Sequence, residues 1–393
     1  MERQETAGPD ALTAAPERAQ PQDATTPAVL IVSPMPGARW TSISHYARQI
    51  IENEDLTGAR LTSIQAPWWN PPSLLDGARR RWWRQPAVRA ASAGRFDVVH
   101  LTDQALGHHV HRFASCPTLV TCHDAMPWLL DGYFAGRIEG AVKRTLLRHS
   151  VRGMLSASHI LCVSETTASD VVRVFGFNPS RITVIPNIAA GLFEPLSGSE
   201  QALRDSGIFL QPRPRILSVG HAGPYKNLEW LIRALSEPSL AGATLVRVGA
   251  PLTSAHRRLA SALGVEERVQ ELGRIDDLAL AHVYNSCDVL AQPSRYEGFG
   301  VPVIEAMACG LPVVCSDGGA LPEVAAGAAR VVPLDSGPGG TALAQALAEV
   351  IDDAQLRADL SFSGLERAER FRAEVVLPKV GDLYRRVANS ADA

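Results

Sequence analysis

The sequence has few lysines and no long basic run. Lysine occurs only at Lys143, Lys226 and Lys379, whereas arginine is abundant, and the formal net charge of the 393 residues is −3. A nucleic-acid binder that relies on phosphate neutralisation needs a concentrated positive surface, so nucleic acid is not an expected partner. Because arginine fills the basic surface positions, each lysine is a candidate for a specific role.

Long apolar runs and paired cysteines are also missing. No apolar run approaches the roughly 20 residues that span a bilayer, and the N-terminus lacks the basic start and apolar core of a signal peptide. The six cysteines are scattered without a C-x-x-C pair, which is typical of reduced, buried thiols. These absences predict a cytoplasmic protein.

The chain begins with a polar segment, residues 1–27, that is rich in Ala and Pro and nearly devoid of large apolar side chains. Such a segment cannot offset the entropy that ordering would cost, which predicts a disordered tail. The remaining length exceeds what one hydrophobic core usually serves, and 46% of the chain is apolar. Two domains are therefore expected.

Short apolar segments alternate with helical sequence in both halves of the chain. Continuously apolar strands separated by helices form parallel sheets covered on both faces, so the pattern predicts two doubly wound α/β domains, at 28–187 and 188–374. In residues 371–390 the helical pattern is interrupted at Pro378, which predicts a kinked pair of terminal helices. The predicted strands are 28–33, 97–101, 118–122, 159–164, 182–186, 215–220, 243–249, 288–294, 312–317 and 329–334.

The segment SRYEGFGVPVIEAMACG carries two carboxylates in a mostly apolar context, directly after a predicted strand. In α/β sheets, ligands bind beyond the carboxyl ends of the strands. Gly298 and Gly300 would let the backbone approach a ligand, and a helix beginning at Val301 would offer unpaired amides to a diphosphate. Glu305, one turn into that helix, is expected to accept hydrogen bonds from ribose hydroxyls. Glu297, on the loop, would accept them from a sugar.

This segment resembles the Glu-x7-Glu signature of retaining glycosyltransferases with the two-Rossmann GT-B fold, in particular glycosyltransferase family 4. Three further segments agree with that family in order and spacing: SVGHAGPYKNLEWLIRAL, ASHILCVSETTASDVVRVFGFNPSRITVIPN and GALPEVAAGAARVVP. The resemblance implies an α/β GT-B architecture of two Rossmann-like doubly wound domains with a cleft between them. The N-terminal domain would hold the acceptor and the C-terminal domain the nucleotide-sugar donor. A C-terminal helix at about 375–390 would cross back to the N-terminal domain.

The resemblance implies a role for the loop that contains Lys226. The matching lysine of the family contacts the donor diphosphate and stabilises the leaving nucleotide. Gly220 and His221 belong to the same loop, and many relatives have Arg where this chain has His221, which can still donate to phosphate when charged. The spacing G-H-A-G-P-Y-K is not a Walker A loop, because no glycine directly precedes the lysine and no Ser or Thr follows it. A nucleotide triphosphatase is therefore disfavoured.

The resemblance also implies the remaining donor contacts and a candidate on the opposite side of the cleft. His123 corresponds to a histidine close to the transferred sugar, while a structural histidine bonded to a backbone carbonyl is the alternative. Glu323 is expected to cap or pair structurally. The loop with Arg274 and Ile275 would bracket the nucleotide base through main-chain contacts. Expected donor-binding residues also include Phe299 with Gly298, Gly300 and Val301, and the expected catalytic residues are His123, Lys226 and Glu297.

No Asp-x-Asp occurs, so the metal clamp of the other large glycosyltransferase fold is missing. The histidine cluster GHHVH lacks a spaced carboxylate and is expected to be a surface helix end. We therefore expect metal independence and no cofactor, the nucleotide-sugar being a co-substrate. The family's front-side route, in which the departing phosphate accepts the acceptor's proton, implies retention at the anomeric centre.

The acceptor is expected to be a hydroxyl of a polysaccharide, a lipid-linked sugar or a small glycoside. Residues 67–91 combine tryptophans with arginines, which favours peripheral contact with the inner face of a membrane, and a helix packed on the N-terminal domain is the alternative. Two other functions stay open. A nucleotide-sugar 2-epimerase would need acid and base residues around the sugar. A degenerate, non-catalytic partner subunit is suggested by His221 and by Thr41 and Ser42 in place of the family's Gly-Gly pair.

Overall fold

The computed structural model describes residues 26–34, 41–66, 86–130, 137–337 and 339–390. The predicted disordered tail, up to residue 25, and the part of the Trp- and Arg-rich segment at 67–85 lie outside the described residues. Within these ranges, no helix is both long enough and apolar enough to cross a membrane.

The N-terminal half of the chain forms one parallel sheet. Its strands are β1 (Ala28–Pro34), β2 (Arg60–Ala66), β3 (Val98–Leu101), β4 (Thr118–Cys122), β5 (His159–Cys162) and β6 (Ile182–Val184). They lie in the order β2-β1-β3-β4-β5-β6. The helices are α1 (Thr41–Glu52), α2 (Glu54–Thr57), α3 (Pro86–Ser92), α4 (Met126–Leu129), α5 (Arg137–Leu155) and α6 (Glu165–Phe175), with 3-10 helices at Gln104–Phe113 and Pro179–Arg181.

The C-terminal half forms a second parallel sheet. Its strands are β7 (Arg215–Gly220), β8 (Thr244–Gly249), β9 (Val269–Gly273), β10 (Val289–Gln292), β11 (Val313–Ser316) and β12 (Arg330–Val332), in the order β12-β11-β10-β7-β8-β9. The helices are α7 (Ser199–Asp205), α8 (Leu228–Leu235), α9 (Ser254–Ala262), α10 (Asp277–Tyr284), α11 (Val301–Ala308), α12 (Leu321–Ala325), α13 (Thr341–Asp352) and α14 (Ala354–Ala368). Short 3-10 helices lie at Pro224–Lys226, Pro238–Leu240, Glu266–Arg268 and Glu369–Phe371.

The two sheets confirm the predicted α/β fold with two doubly wound units. Strands such as β4, β10 and β11 are buried along their whole length, which is why their sequences are continuously apolar. Two strands were absent from the sequence-based set. The edge strand β2 alternates between exposed and partly buried residues, and β9 is only partly buried, so neither carries the apolar run of a central strand.

The last helix, α15 (Ala373–Asn389), corrects the prediction of two helices kinked at Pro378. It is continuous and contains Pro378 as its sixth residue, so the proline removes one hydrogen bond of the helix without ending it. α15 contacts α2 and β3 of the N-terminal sheet. There the Tyr384 hydroxyl lies 2.8 Å from His100 Nδ1, and both side chains are fully buried.

The histidine cluster GHHVH is not the expected surface helix end. It lies within the 3-10 helix Gln104–Phe113, and Gly107, His109 and Val110 are buried. A Cβ at Gly107 would lie 2.2 Å from the Ser150 carbonyl oxygen of α5, so the two helices pack backbone against backbone. This close packing, rather than metal binding, accounts for the burial.

Candidate active site

The site lies at the carboxyl ends of β7 and β10, which are neighbours in the sheet although β8 and β9 separate them in the sequence. Strand order changes direction here, and such topological switch points open a crevice for ligands. Gly220 is the last residue of β7, the segment that follows it contains His221 and Lys226, and the loop after β10 contains Glu297 and the glycines that follow it.

The two loops are joined by an ion pair. Lys226 Nζ lies 2.7 Å from Glu297 Oε1, and both side chains are largely buried, at 12% and 13% exposure. The Lys226 side chain lies over Gly220, where an added Cβ would come within 3.5 Å of Nζ. The structure thus brings together three residues that the sequence proposed for the donor site.

Two polar residues that the sequence analysis missed complete this cluster. Gln292 Nε2 donates to Glu297 Oε1 at 2.8 Å, and Ser294 Oγ donates to the same oxygen at 2.6 Å. Gln292 is the last residue of β10, and both side chains are buried. In the sequence, Gln292 and Ser294 could have been recognised as two polar residues at the end of the otherwise apolar predicted strand 288–294.

The backbone explains why residues 298 and 300 are glycines. A Cβ at Gly298 would lie 1.9 Å from the carbonyl oxygen of His123, so the glycine allows close contact with the N-terminal domain. Gly300 has a φ of +106°, a backbone conformation that residues other than glycine rarely adopt. Phe299 is buried and packs edge-on against Phe371 at a ring distance of 5.6 Å, so only its backbone remains for a ligand.

Helix α11 starts beside the ion pair. Val301 is its first residue and Pro302 its second, as the sequence predicted. The first amides of a helix have no carbonyl partner within it, and the positive end of the helix dipole lies there. The helix start and Lys226 therefore form a region suited to an anion.

Glu305 lies inside α11 and is buried at 8% exposure. The Tyr284 hydroxyl donates to its Oε2 at 2.8 Å. Burial raises the pKa of Glu305 to about 8, while the hydrogen bond from Tyr284 opposes the shift. Oε1 does not take part in the Tyr284 contact.

A buried arginine fixes the backbone of the Gly220 loop. Arg247 is 1% exposed, and its guanidinium donates to the carbonyl oxygens of Ser218 at 3.0 Å, Gly220 at 2.5 Å and His221 at 2.8 Å. Burial lowers the pKa of Arg247 to about 10, so it remains charged at neutral pH. His221 is thereby held at the site through its backbone, with a partly exposed side chain.

The loop after β9 contains Arg274 and Ile275, two of the expected donor-binding residues. Arg274 is exposed and Ile275 is partly buried against the core. At the start of α10, Asp277 accepts a hydrogen bond at 3.0 Å from Arg48 of α1 in the N-terminal domain. This hydrogen bond joins the segment that follows the β9 loop to the N-terminal domain.

His123 lies at the carboxyl end of β4, facing the Glu297 loop through its backbone. Its Nε2 donates to the Thr102 carbonyl oxygen at 2.9 Å. Burial lowers the pKa of His123 to about 4, so the ring is neutral and Nδ1 is an acceptor. The carbonyl contact expected for a structural histidine is present, and the other ring nitrogen remains for a ligand.

The two domains meet directly at this site. The carbonyl oxygen of Gly298 accepts hydrogen bonds from Ser164 Oγ at 2.7 Å and Thr167 Oγ1 at 3.0 Å. Glu323 accepts from the backbone amides of Glu165 and Thr166 at 2.8 and 3.0 Å, so it caps α6 from the opposite domain. Within the described ranges, no group of three or more His, Cys, Asp or Glu is arranged to hold a metal ion.

Two family models match the chain. The model for glycosyl transferases group 1 matches residues 199–367, and the model for Glycosyltransferase Family 4 matches residues 41–188. The first therefore covers most of the C-terminal domain, including the Lys226–Glu297 pair, and the second covers most of the N-terminal domain.

Similar proteins carry glycosyltransferase names. D-inositol 3-phosphate glycosyltransferase 2 of Catenulispora acidiphila is 32% identical over 59% of this chain and 56% of its own length. MMP alpha-(1->4)-mannosyltransferase of Mycolicibacterium hassiacum is 30% identical over 61% of this chain and 58% of its own length. The chain thus spans a little over half the length of these relatives.

Solved structures share the fold over almost the whole chain. Sucrose-phosphate synthase from Thermosynechococcus elongatus aligns with a TM-score of 0.73 at 21% identity, covering 93% of this chain and 100% of that one. Anabaena HepE in complex with UDP and glucose aligns with a TM-score of 0.71 at 19% identity, covering 91% and 99%. The matched families and the shared architecture show that the chain belongs to the group 1/family 4 glycosyltransferases with the GT-B fold.

Proposed function

We propose that the protein is a retaining glycosyltransferase that moves a sugar from a nucleotide-diphosphate sugar to a hydroxyl acceptor. The observation that carries the proposal is the Lys226–Glu297 pair beside the start of α11. A cation next to unpaired helix amides suits a diphosphate, and the adjoining carboxylate suits sugar hydroxyls. The names of the relatives and the UDP bound to Anabaena HepE support a nucleotide-sugar donor.

Different groups of the site would act on different parts of such a reaction. Negative charge grows on the diphosphate as the glycosidic bond breaks, and Lys226 with the first amides of α11 would stabilise it. The acceptor oxygen bonds to the anomeric carbon on the face that the diphosphate leaves, and its proton passes to the departing phosphate oxygen. Configuration is thereby retained. Because Lys226 and the helix amides supply positive charge, the proposed reaction uses no metal ion.

The donor and the stereochemistry are tested together. A thermal-shift screen over UDP, GDP and ADP should identify one diphosphate that raises Tm, and the matching nucleotide-sugars are then assayed with candidate acceptors. Nuclear magnetic resonance of the product should show the donor's anomeric configuration. An inverted product would refute retention, and conversion of the nucleotide-sugar to its 2-epimer without an acceptor would identify an epimerase instead.

Substitutions at the ion pair test the residues. Lys226→Met removes the charge that faces the leaving group, and Glu297→Gln removes the charged acceptor for sugar hydroxyls. Each should lower kcat/KM by about 10²- to 10³-fold, the typical loss of one preorganised electrostatic contact. Lys379→Met, at an exposed position of α15, is the matched control and should keep wild-type kinetics. Wild-type turnover in Lys226→Met would contradict the assignment.

A further inference from the structure

We propose that Gln292 is a positioning residue that holds Glu297 in place and so frees Lys226 to bind the donor diphosphate. The inference rests on the proposed function and deepens it. Gln292 does not face the crevice itself, since it is 2% exposed at the end of β10. Its effect on the donor must therefore pass through the residues that its side-chain amide contacts.

Three donors converge on one carboxylate oxygen. Glu297 Oε1 lies 2.7 Å from Lys226 Nζ, 2.8 Å from Gln292 Nε2 and 2.6 Å from Ser294 Oγ. Gln292 Nε2 is also 3.2 Å from Ser294 Oγ, so the two neutral groups form a connected pair beneath the carboxylate. None of these three bonds involves Oε2, which remains the oxygen for sugar hydroxyls.

The contacts also fix the orientation of the Gln292 amide. An ionised carboxylate only accepts hydrogen bonds, so the NH₂ end of the amide must face Glu297. Both partners are enclosed by the strand ends of β10 and β7, where hydrogen bonds to a charged group are stronger than in water. Gln292 therefore stabilises the charge of Glu297 without adding a charge of its own.

Lys226 has two possible anionic partners, Glu297 and the diphosphate of a bound donor. In the absence of a ligand, Lys226 neutralises Glu297, but an incoming diphosphate attracts the same ammonium group. When Lys226 moves toward the phosphate, Glu297 loses part of its counter-charge while it is still largely buried. The hydrogen bonds from Gln292 and Ser294 persist and continue to stabilise the negative charge of the Glu297 carboxylate. Without Gln292, release of Lys226 from Glu297 would cost more, and diphosphate binding would weaken.

A double-mutant cycle measures this coupling. Calorimetric titrations with UDP, GDP and ADP are made on the wild type, Gln292→Met, Lys226→Met and the double variant. Methionine preserves the length of the side chain and removes its donors. Gln292→Met should weaken binding of the preferred diphosphate by about tenfold when Lys226 is present, and by less than about twofold in the Lys226→Met background. Equal effects in the two backgrounds would overturn the inference.

A second variant distinguishes positioning from simple packing. Gln292→Glu places two carboxyl groups within hydrogen-bond distance, and one of them must be protonated to donate to the other. Its diphosphate affinity should therefore be higher at pH 6 than at pH 8, relative to the wild type. A constant ratio across this range contradicts the proposed contact.

The control is Gln270→Met near the start of β9, where the amide bonds to the backbone of Gln211 and Phe209 instead of to the site. This variant should leave diphosphate affinity unchanged even where it lowers Tm. If the wild type itself binds none of the three diphosphates, the proposed function fails. If the wild type binds and Gln292→Met does not alter the affinity, only the positioning role of Gln292 fails.

Discussion

Single residues differ in how far local sequence reveals their role. The glycine loop and the helix start beside Glu297 in the chain predicted its role, whereas the role of Lys226 came from the scarcity of lysine and from the resemblance to the family. The sequence did not predict roles for Arg247 and Gln292, because a buried Arg or Gln in a strand acts through side-chain or backbone partners that lie far away in the sequence. The carbonyl oxygens of Gly220 and His221 satisfy Arg247, and the carboxylate of Glu297 satisfies Gln292.

Glu305 gives a pH-dependent prediction at this scale. Its pKa is raised to about 8 by burial, whereas a glutamate in the unfolded chain titrates near about 4.3. Between these values the unfolded chain has lost a proton that the native protein retains, so the residue's contribution to stability falls as pH rises. Glu305→Gln lacks this titration, and its amide oxygen can still accept from Tyr284. From pH 5 to pH 8, the variant should therefore gain roughly 1–4 kcal/mol in free energy of unfolding relative to the wild type.

Urea denaturation at the two pH values, without nucleotide, measures this difference. Other titrating groups are common to both proteins and cancel in the comparison. Glu366→Gln, at an exposed position of α14, serves as the matched control and should show no pH-dependent difference. A Glu305→Gln variant that tracks the wild type from pH 5 to pH 8 would show that Glu305 ionises normally in the folded protein.

At the scale of elements, the central strands and the start of α11 followed from sequence, whereas two of the four edge strands, β2 and β9, did not. β2 pairs with β1 over its whole length, yet its side chains are mostly not buried, so it lacks the apolar run that identifies a covered strand. The close contact of Gly298 with the N-terminal domain was also not predicted. Its close neighbour, the carbonyl oxygen of His123, belongs to the other domain, and no local pattern predicts that contact.

The contact between α12 and α6 gives a prediction for these elements. Glu323 of α12 accepts three hydrogen bonds from the start of α6: two from the amides of Glu165 and Thr166, and one from Thr166 Oγ1 at 3.0 Å. Loss of a helix cap typically costs about 1–2 kcal/mol. Glu323→Ala should lower the free energy of unfolding by that amount in urea denaturation. Glu366→Ala should change it by less than about 0.5 kcal/mol, and an equally small loss in Glu323→Ala would mean that α6 is capped by its own Ser164 alone.

At the scale of the whole molecule, the last helix of the described chain packs against the N-terminal domain. α15 follows the C-terminal domain in sequence but packs on the N-terminal domain, and the Gly381 backbone lies directly against Thr57 of α2. The resemblance to the family predicted a C-terminal helix that returns to the N-terminal domain. The sequence did not predict that this helix continues through Pro378. Because α15 joins both domains, its contacts stabilise the arrangement that holds His123 against the Glu297 loop.

The buried bond between Tyr384 and His100 tests that connection. His100 also lies 2.7 Å from Thr121 Oγ1, and burial lowers the pKa of His100 to about 3, so its neutral ring needs one donor and one acceptor as neighbours. Tyr384→Phe keeps the ring packing but leaves Nδ1 of His100 buried without its hydroxyl partner. The free energy of unfolding should fall by about 1–3 kcal/mol in urea denaturation. Lys379→Ala, on an exposed position of α15, should change it by less than about 0.5 kcal/mol. If Tyr384→Phe were as stable as Lys379→Ala, the return of α15 would depend on apolar packing alone.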